Sequence, residues 1–306
     1  MATRKKILVT GSNGLLGQKI TDLARNDPRI ELIATSKGPD RHPAKGAGYT
    51  YVELDLLAEE HVTQTLQGQR PDVIIHTAAM TNVDACEEFP EQCDEINVHA
   101  VKHLADQCDK LGIHLIHLST DFIFDGTQGP YREDDEPAPL SHYGKSKLTS
   151  EKIVQQLRTD WTIIRTILVY GVLDDPSKSN IVLWAKTALE KGDTIRVVDD
   201  QWRMPTLAED LATACLNAAL EQVSGIFHVS GADYFSIVDL VREVADFWGL
   251  DQALIQPINS KTLNQKASRP SKTGFILEKA KDQLNYTPTP FKTGLELVKA
   301  QLASRP

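Results

Sequence analysis

Ile7-Leu8-Val9-Thr10-Gly11-Ser12-Asn13-Gly14-Leu15-Leu16-Gly17 runs from an apolar stretch, through three glycines at three-residue spacing, into an amphipathic stretch. Read physically, this is a strand, a tight turn and the opening of a helix. Gly11 permits the turn, Gly14 lets backbone approach a pyrophosphate, and Gly17 lets helix and strand pack closely. The helix N-terminus then offers free N–H groups and the positive end of its dipole to the phosphates. A glycine triplet alone is an ordinary strand–helix turn. With a strand before it and an amphipathic helix after it, it predicts a dinucleotide site at Gly11, Asn13, Gly14, Leu15 and Gly17.

Outward from this turn, strand-like runs at Lys6–Thr10, Ile30–Thr35, Thr50–Leu54, Val73–Thr77, Ile113–Ser119 and Trp161–Thr166 alternate with helical patterns near 15–25, 58–67, 91–111 and 143–158. The runs are rich in Val and Ile without clean alternation, as strands covered on both faces are. The rhythm predicts an α/β fold, a Rossmann-type doubly wound parallel sheet. Residues 1–167 form the expected dinucleotide-binding domain, with sheet additions from about 195–230; residues 168–306 mainly form a smaller C-terminal substrate-binding region. Within the latter, 171–180 reads as a loop, Ile181–Glu190 as a helix and Ile195–Val198 as a strand. Leu207–Glu221 and Ser236–Trp248 read as helices, Ile226–Ser230 as a strand, and Gln256–Lys272 as a loop lining a site.

The 306 residues are 41% hydrophobic and 25% charged, enough for a large core, and the net charge of −9 argues against binding nucleic acid. Cys86, Cys93, Cys108 and Cys215 lack metal or disulfide spacing and read as reduced, buried thiols. No acidic constellation has coordination spacing, so no metal is expected; Glu87, Glu88, Glu91 and Glu95 read as a solvated helix face. His76, His114 and His117 lie in or at the ends of strands and read as core residues. The apolar run Ile7–Val9 is too short for a signal segment or a membrane span, so a cytoplasmic protein is expected.

NAD sites usually carry an acidic residue at the end of the second strand. Here Thr35, Ser36 and Lys37 stand there, with Arg41 beyond; hydroxyls and cations suit a 2′-phosphate, so the expected cofactor is NADPH, with NADH as the alternative. Tyr143 and Lys147, four residues apart, share a helix face. An ammonium near a phenol is expected to lower the phenol's pKa toward a useful range. Upstream, Ser119-Thr120-Asp121 ends the fifth strand, where a doubly wound sheet gathers its chemistry. A hydroxyl there can bind the carbonyl that Tyr143 protonates.

The glycine turn, Ser119-Thr120-Asp121-Phe122-Ile123-Phe124-Asp125-Gly126 and Tyr143-x-x-x-Lys147 together resemble the dTDP-4-dehydrorhamnose reductase family, a branch of the extended short-chain dehydrogenase/reductases. The likeness extends through Asp55, His76–Asp84, Asn97, Tyr131-Arg132-Glu133, Arg165-Thr166, Asp200-Gln201, Pro205-Thr206 and Arg269-Pro270, nearly the whole chain. The resemblance implies NADPH-dependent reduction of the 4-keto group of a nucleotide-linked 6-deoxyhexose. Thr120 would bind the carbonyl, Tyr143 donate the proton, and Lys147 activate it while holding the nicotinamide ribose. Asp55, Ala78 and Ala79 would contact the cofactor with Ser36 and Lys37; Thr81, Asp121 and Arg269 would contact the substrate, Arg269 at the diphosphate. The implied partner is the nucleotide sugar, with a homodimer allowed and no nucleic acid or membrane.

Three features refine this implication. Nucleotide-sugar dehydratases read Thr-Asp-Glu where this chain has Thr120-Asp121-Phe122, which favours plain carbonyl reduction. Rhamnose-pathway reductases often place a tryptophan after the Arg-Thr pair, whereas here Ile167 and Leu168 follow; Trp202 is a candidate for either the pocket or the packing. Phe124–Glu133 and Gln201–Thr206 also resemble the regulatory β subunits of methionine adenosyltransferase, which bind NADP and serve a partner enzyme. That branch is the non-catalytic alternative.

Overall fold

The computed structural model describes residues 4–175, 178–263 and 265–305. Parts of the expected loops 171–180 and 256–272 therefore lie outside the described residues. Strands β1 (Lys5–Thr10), β2 (Ile30–Ser36), β3 (Thr50–Glu53), β4 (Val73–His76), β5 (His114–Thr120) and β6 (Trp161–Thr166) follow the apolar runs closely. With β7 (Val169–Tyr170), β8 (Ile195–Val198), β9 (Trp202–Arg203), β10 (Thr206–Leu207) and β11 (Gly225–Val229) defined, the main sheet has the order β11-β6-β5-β4-β1-β2-β3. All its neighbours are parallel. Strand order reverses between β1 and β4, so the cleft at their C-terminal ends is the natural ligand position.

Side chains alternate across the sheet, and both faces are apolar. Ile7 and Val9 on β1 join Ile20 of α1 (Leu15–Ala24) in one buried cluster. Leu8 joins Val62 and Leu66 of α2 (Glu59–Gln69) in the other. Helices α3 (Val83–Glu88), α4 (Pro90–Asp94), α5 (Ala100–Leu111) and α6 (His142–Val154) follow; Val101 and Leu104 of α5 and Val154 of α6 lie in the same cluster as Leu8. Their burial on both faces is why these strands lack polar alternation.

Helices α7 (Ile181–Glu190), α8 (Ala208–Glu221) and α9 (Ile237–Trp248) complete the elements expected from the sequence. α8 packs on α1 beneath the main sheet, and β11 extends that sheet. The expectation of sheet additions from 195–230 needs correction for β8. It pairs with β13 (Ile255–Ile258), which occupies the start of the expected loop at 256–272, while β9 pairs with β12 (Phe235–Ser236). Two further helices, α10 (Glu278–Leu284) and α11 (Phe291–Ala303), close the chain. Phe291, Leu295 and Val298 of α11 lie in a separate core with α7, α9, β8 and β13.

Candidate functional site

Gly11 takes φ +70, and a Cβ there would stand 2.9 Å from the Ala78 nitrogen. A Cβ at Gly17 would stand 2.6 Å from Ser12 Cα and closer still to the Gly11 carbonyl. The turn is thus compressed between β4 and α1, leaving the α1 N-terminus open, since its N-cap Gly14 brings no side-chain cap. These residues fit a bound pyrophosphate: free N–H groups, no intervening Cβ, and a helix dipole aimed at the anion.

This turn is one end of a cavity of about 760 Å³. Of the expected cofactor residues, Gly11, Asn13, Gly14, Leu15, Ser36, Ala78 and Ala79 line it, and so do Thr81, Thr120, Asp121, Tyr143, Lys147 and Arg269. Gly17, Lys37 and Asp55 do not. Gly17 is buried behind the turn. Lys37 and Asp55 form an ion pair of 2.7 Å on the surface beyond β2 and β3. The Lys37 ammonium and the Leu57 N–H hold the Asp55 carboxyl below its usual range. Asn13 is spent on its own protein: its amide donates to the Pro39 carbonyl at 2.9 Å and accepts from the Arg41 N–H at 2.9 Å, tying loop 38–41 to the glycine turn. Arg41 in turn bonds Asp175 at 3.1 Å.

The wall opposite α1 is the loop 77–81 after β4. Asn97 pins it, accepting from the Met80 N–H at 2.9 Å and donating to the Met80 carbonyl at 3.0 Å and to Ser146 at 3.1 Å. Asn97 points inward because Glu95–His99 form a π-turn between α4 and α5, interrupting the continuous helix expected over 91–111. An extra residue in a helical turn re-aims side chains and often marks a working site. Glu87, Glu88, Glu91 and Glu95 are exposed, as a solvated face should be.

Thr120 ends β5 and caps the 3₁₀ turn Asp121–Ile123 by accepting the Phe122 N–H at 3.2 Å. Its hydroxyl donates to Asp121 Oδ1 at 3.1 Å. Ser141 caps α6 through the Gly144 N–H at 3.2 Å, which places Tyr143 in the first turn and Lys147 one turn deeper. The expected effect of Lys147 on the phenol is not what this arrangement produces. Tyr143 sits among Cys86, Cys93 and Phe122, and burial pushes its pKa up, with the Thr120 hydroxyl acting in the opposite direction. Lys147 turns instead to β5, where Nζ lies 3.1 Å from His117 Nε2. Burial pushes the Lys147 ammonium down to about 8, against the pull of Glu151.

Asp121 is buried at the edge of the cavity. Thr120 and Thr273 both donate to its carboxylate, and Arg203 Nε stands 3.5 Å from Oδ2, so a direct substrate contact would displace protein donors. Burial raises its pKa while Arg203 lowers it. Arg203, within the stretch Gln201–Thr206, also donates to the Pro270 carbonyl at 2.8 Å and so ties the Arg269 segment to the end of β5. Arg269 itself grips Asp84 of α3 at 2.6 Å. Thr77 and Gln201, which fall within the family likeness without an assigned role, also line the cavity, and so does Lys178, which no local pattern marks. Leu168, in the left-handed region at φ +41, lines it where an aromatic was sought, while Ile167 faces the core. Trp202 lies outside the lining, with the Lys272 ammonium 4.9 Å from its ring centre. Among the described residues, Cys93, Asp94 and His142 bring three potential metal-ligand atoms close together, but His142 already bonds Asp94 at 2.9 Å and Cys93 bonds Asn97 at 3.3 Å.

The profile of the RmlD substrate-binding domain matches residues 5–304. The chain belongs to that family. Among curated proteins, it is 32% identical over 95% of its length to the probable low-salt glycan biosynthesis reductase Agl14 of Haloferax volcanii, covering 96% of that protein. It is 30% identical to the methionine adenosyltransferase 2 subunit beta of Xenopus laevis, covering 95% of this chain and 86% of that one. Among solved structures, the dTDP-4-dehydrorhamnose reductase of Bacillus anthracis in complex with NADP superposes with TM-score 0.84 at 25% identity, over 98% of this chain and 100% of that one. A dTDP-4-dehydrorhamnose reductase ortholog of Clostridium acetobutylicum gives 0.84 at 29%, over 97% and 99%. This RmlD-family chain is an extended short-chain dehydrogenase/reductase, a family that uses NAD(P). Among the described residues no helix is long and apolar enough to cross a membrane.

Proposed function

We propose that this protein reduces the 4-keto group of a nucleotide-linked 6-deoxyhexose, with NADPH as the preferred cofactor. The observation that carries the reading is the convergence of Thr120, Tyr143 and Lys147 on one cavity, with the glycine turn and Arg269 in the same lining. When bound there, NADPH supplies the hydride. Everything else falls to the chain's own side chains. Burial keeps the Tyr143 phenol protonated at neutral pH, the form a proton donor needs. Thr120 Oγ, next to it, holds the carbonyl oxygen once its proton turns from Asp121. Lys147, still largely charged at neutral pH, offers its ammonium to the nicotinamide ribose. Arg269 shifts from Asp84 to the substrate diphosphate, for which its fork of donors is suited. Ser36 puts a hydroxyl into the cavity at the end of β2, and Lys37 beside it meets a 2′-phosphate by leaving Asp55, which supports the preference for NADPH.

The test follows NADPH absorbance with freshly prepared dTDP-4-dehydro-6-deoxy-L-mannose. Turnover that falls by about two or more orders of magnitude in Tyr143→Phe, with NADPH affinity kept, supports the reading. Turnover unchanged in that variant overturns the assignment of Tyr143. The similarity to methionine adenosyltransferase β subunits supports a second reading, a non-catalytic NADP-binding regulator. Tight NADPH binding without turnover of any 4-keto sugar, together with a stoichiometric complex with a methionine adenosyltransferase on size exclusion, would select it.

A further inference from the structure

Lys147 Nζ is buried, and among the described residues its hydrogen-bond partner is the ring nitrogen Nε2 of His117, at 3.1 Å. The same nitrogen lies 2.9 Å from Ser150 Oγ, whose hydroxyl donates to the Lys147 carbonyl at 2.7 Å. His117 Nδ1 has no partner, and the ring stacks at 5.4 Å on His76, whose Nδ1 bonds Thr10 Oγ1 at 2.8 Å. A neutral imidazole has one donor and one acceptor nitrogen. Nε2 therefore accepts from a charged Lys147 only in the tautomer with its proton on Nδ1, in which the Ser150 proton turns from the Lys147 carbonyl so that two lone pairs do not meet; with the proton on Nε2, it donates to Ser150 and the ammonium loses its acceptor.

We propose that His117 is a positioning residue for Lys147: its Nε2 lone pair fixes where the ammonium stands and favours its charged form in the floor of the cavity. The ring is suited to this because burial, Lys147 and His76 all hold it neutral. The other groups near the ammonium do not replace it. Glu151, a turn away on α6, favours the charged ammonium through its field, but its carboxylate bonds Arg165 of β6 at 2.8 Å and so does not fix the position of Nζ. Cys93 of α4 and Cys86 of α3 are buried thiols, as is Cys108 of α5. Asp121 is held by Thr120 and Thr273, Tyr143 is a neutral phenol, and Glu95 and His99 lie on the outer side of the π-turn. His76 contributes a stacked neutral ring, its pKa pushed down to about 3 by burial and by Lys147.

The test reads Lys147 directly, in protein labelled with ¹³C at the lysine ε-carbons and assigned with Lys147→Arg. In His117→Phe the Lys147 titration midpoint should fall by about one to two pH units, the size of a lost charge-assisted hydrogen bond. His117→Gln, whose amide oxygen can accept, should recover most of the shift. A folded His117→Phe with an unmoved midpoint overturns the proposal. The wild-type protein supplies a readout that needs no variant. Long-range ¹H–¹⁵N correlation of the histidine rings should find His117 protonated on Nδ1 below the Lys147 midpoint, and a ring protonated on Nε2 there overturns it equally. The expected consequence for catalysis, an alkaline limb of kcat displaced by the same shift, rests on the reductase reading. The two resonances do not, so their failure is distinguishable from the failure of that reading.

Discussion

Gly17→Ala adds one methyl group where two backbone segments already touch. Its Cβ would stand 2.6 Å from Ser12 Cα, while carbon–carbon contact becomes favourable only near 3.5 Å. The shortfall is about 1 Å, and the neighbours are backbone atoms of the turn, so no rotamer change relieves it. Either α1 lifts from β1 or the glycine turn moves into the cavity. Overpacking of this kind costs about 1–3 kcal/mol. Borne by the turn, that range corresponds to a loss of about fivefold to 150-fold in NADPH affinity. Borne by the whole fold, it lowers Tm by about 2–6 °C for a chain of this size. Fluorescence titration with NADPH and a thermal melt of the same sample separate the two. A variant that binds NADPH with wild-type affinity and melts at the wild-type temperature would refute the reasoning, and with it the placement of the pyrophosphate on this turn.

Other perturbations follow from the site and its supports. Arg269→Lys replaces a two-pronged donor by a point charge; KM for the nucleotide sugar should rise about tenfold or more with kcat little changed, as steady-state kinetics would read. Arg165→Met strands the Glu151 carboxylate, which is 0% exposed, and should cost about 3–5 kcal/mol in urea unfolding. Lys147, with its folded pKa lowered to about 8 from the ordinary lysine value of 10.5, binds fewer protons folded than unfolded between those values. Its contribution to stability therefore increases as pH rises through that window. Lys147→Met should flatten that segment of the stability–pH curve, and in the active enzyme kcat should fall above pH 8 as the ammonium is lost.

Strong local signals made the N-terminal half readable. Strand runs buried on both faces, the glycine turn and the Tyr143–Lys147 spacing each record their physics within a few residues. What escaped depends on distant partners or small departures from regular periods. β8 looks like a sheet strand, and only β13, sixty residues on, decides which sheet it joins. The π-turn at Glu95–His99 leaves the helical pattern almost unchanged while turning Asn97 toward the loop at Met80. Lys147 reads as a partner for Tyr143 because the two share a helix face; that His117 lies on the strand beneath is a fact of packing. α11 was legible in principle, since Phe291, Leu295 and Val298 keep helical spacing. Arg203 carried no local mark, because its role comes from the carbonyls at Pro270 and Trp202 and the carboxylate of Asp121.

The ion pairs around the cleft bear on how a charged ligand arrives. Arg269 with Asp84, Arg203 with Asp121, Arg41 with Asp175 and Lys37 with Asp55 each set a cation against a carboxylate a few ångströms away. Paired in this way, these charges act on an approaching anion as short dipoles whose fields decay within a few ångströms, and the chain around them carries a net charge of −9. A doubly charged ligand is therefore not drawn in from solution. It arrives by unaided diffusion and meets attraction only at close range, at Lys147, Lys178 and Arg269 in the lining. Capture by such a cleft should be slow relative to electrostatically steered association and nearly indifferent to ionic strength, with selectivity resting on how long the ligand stays.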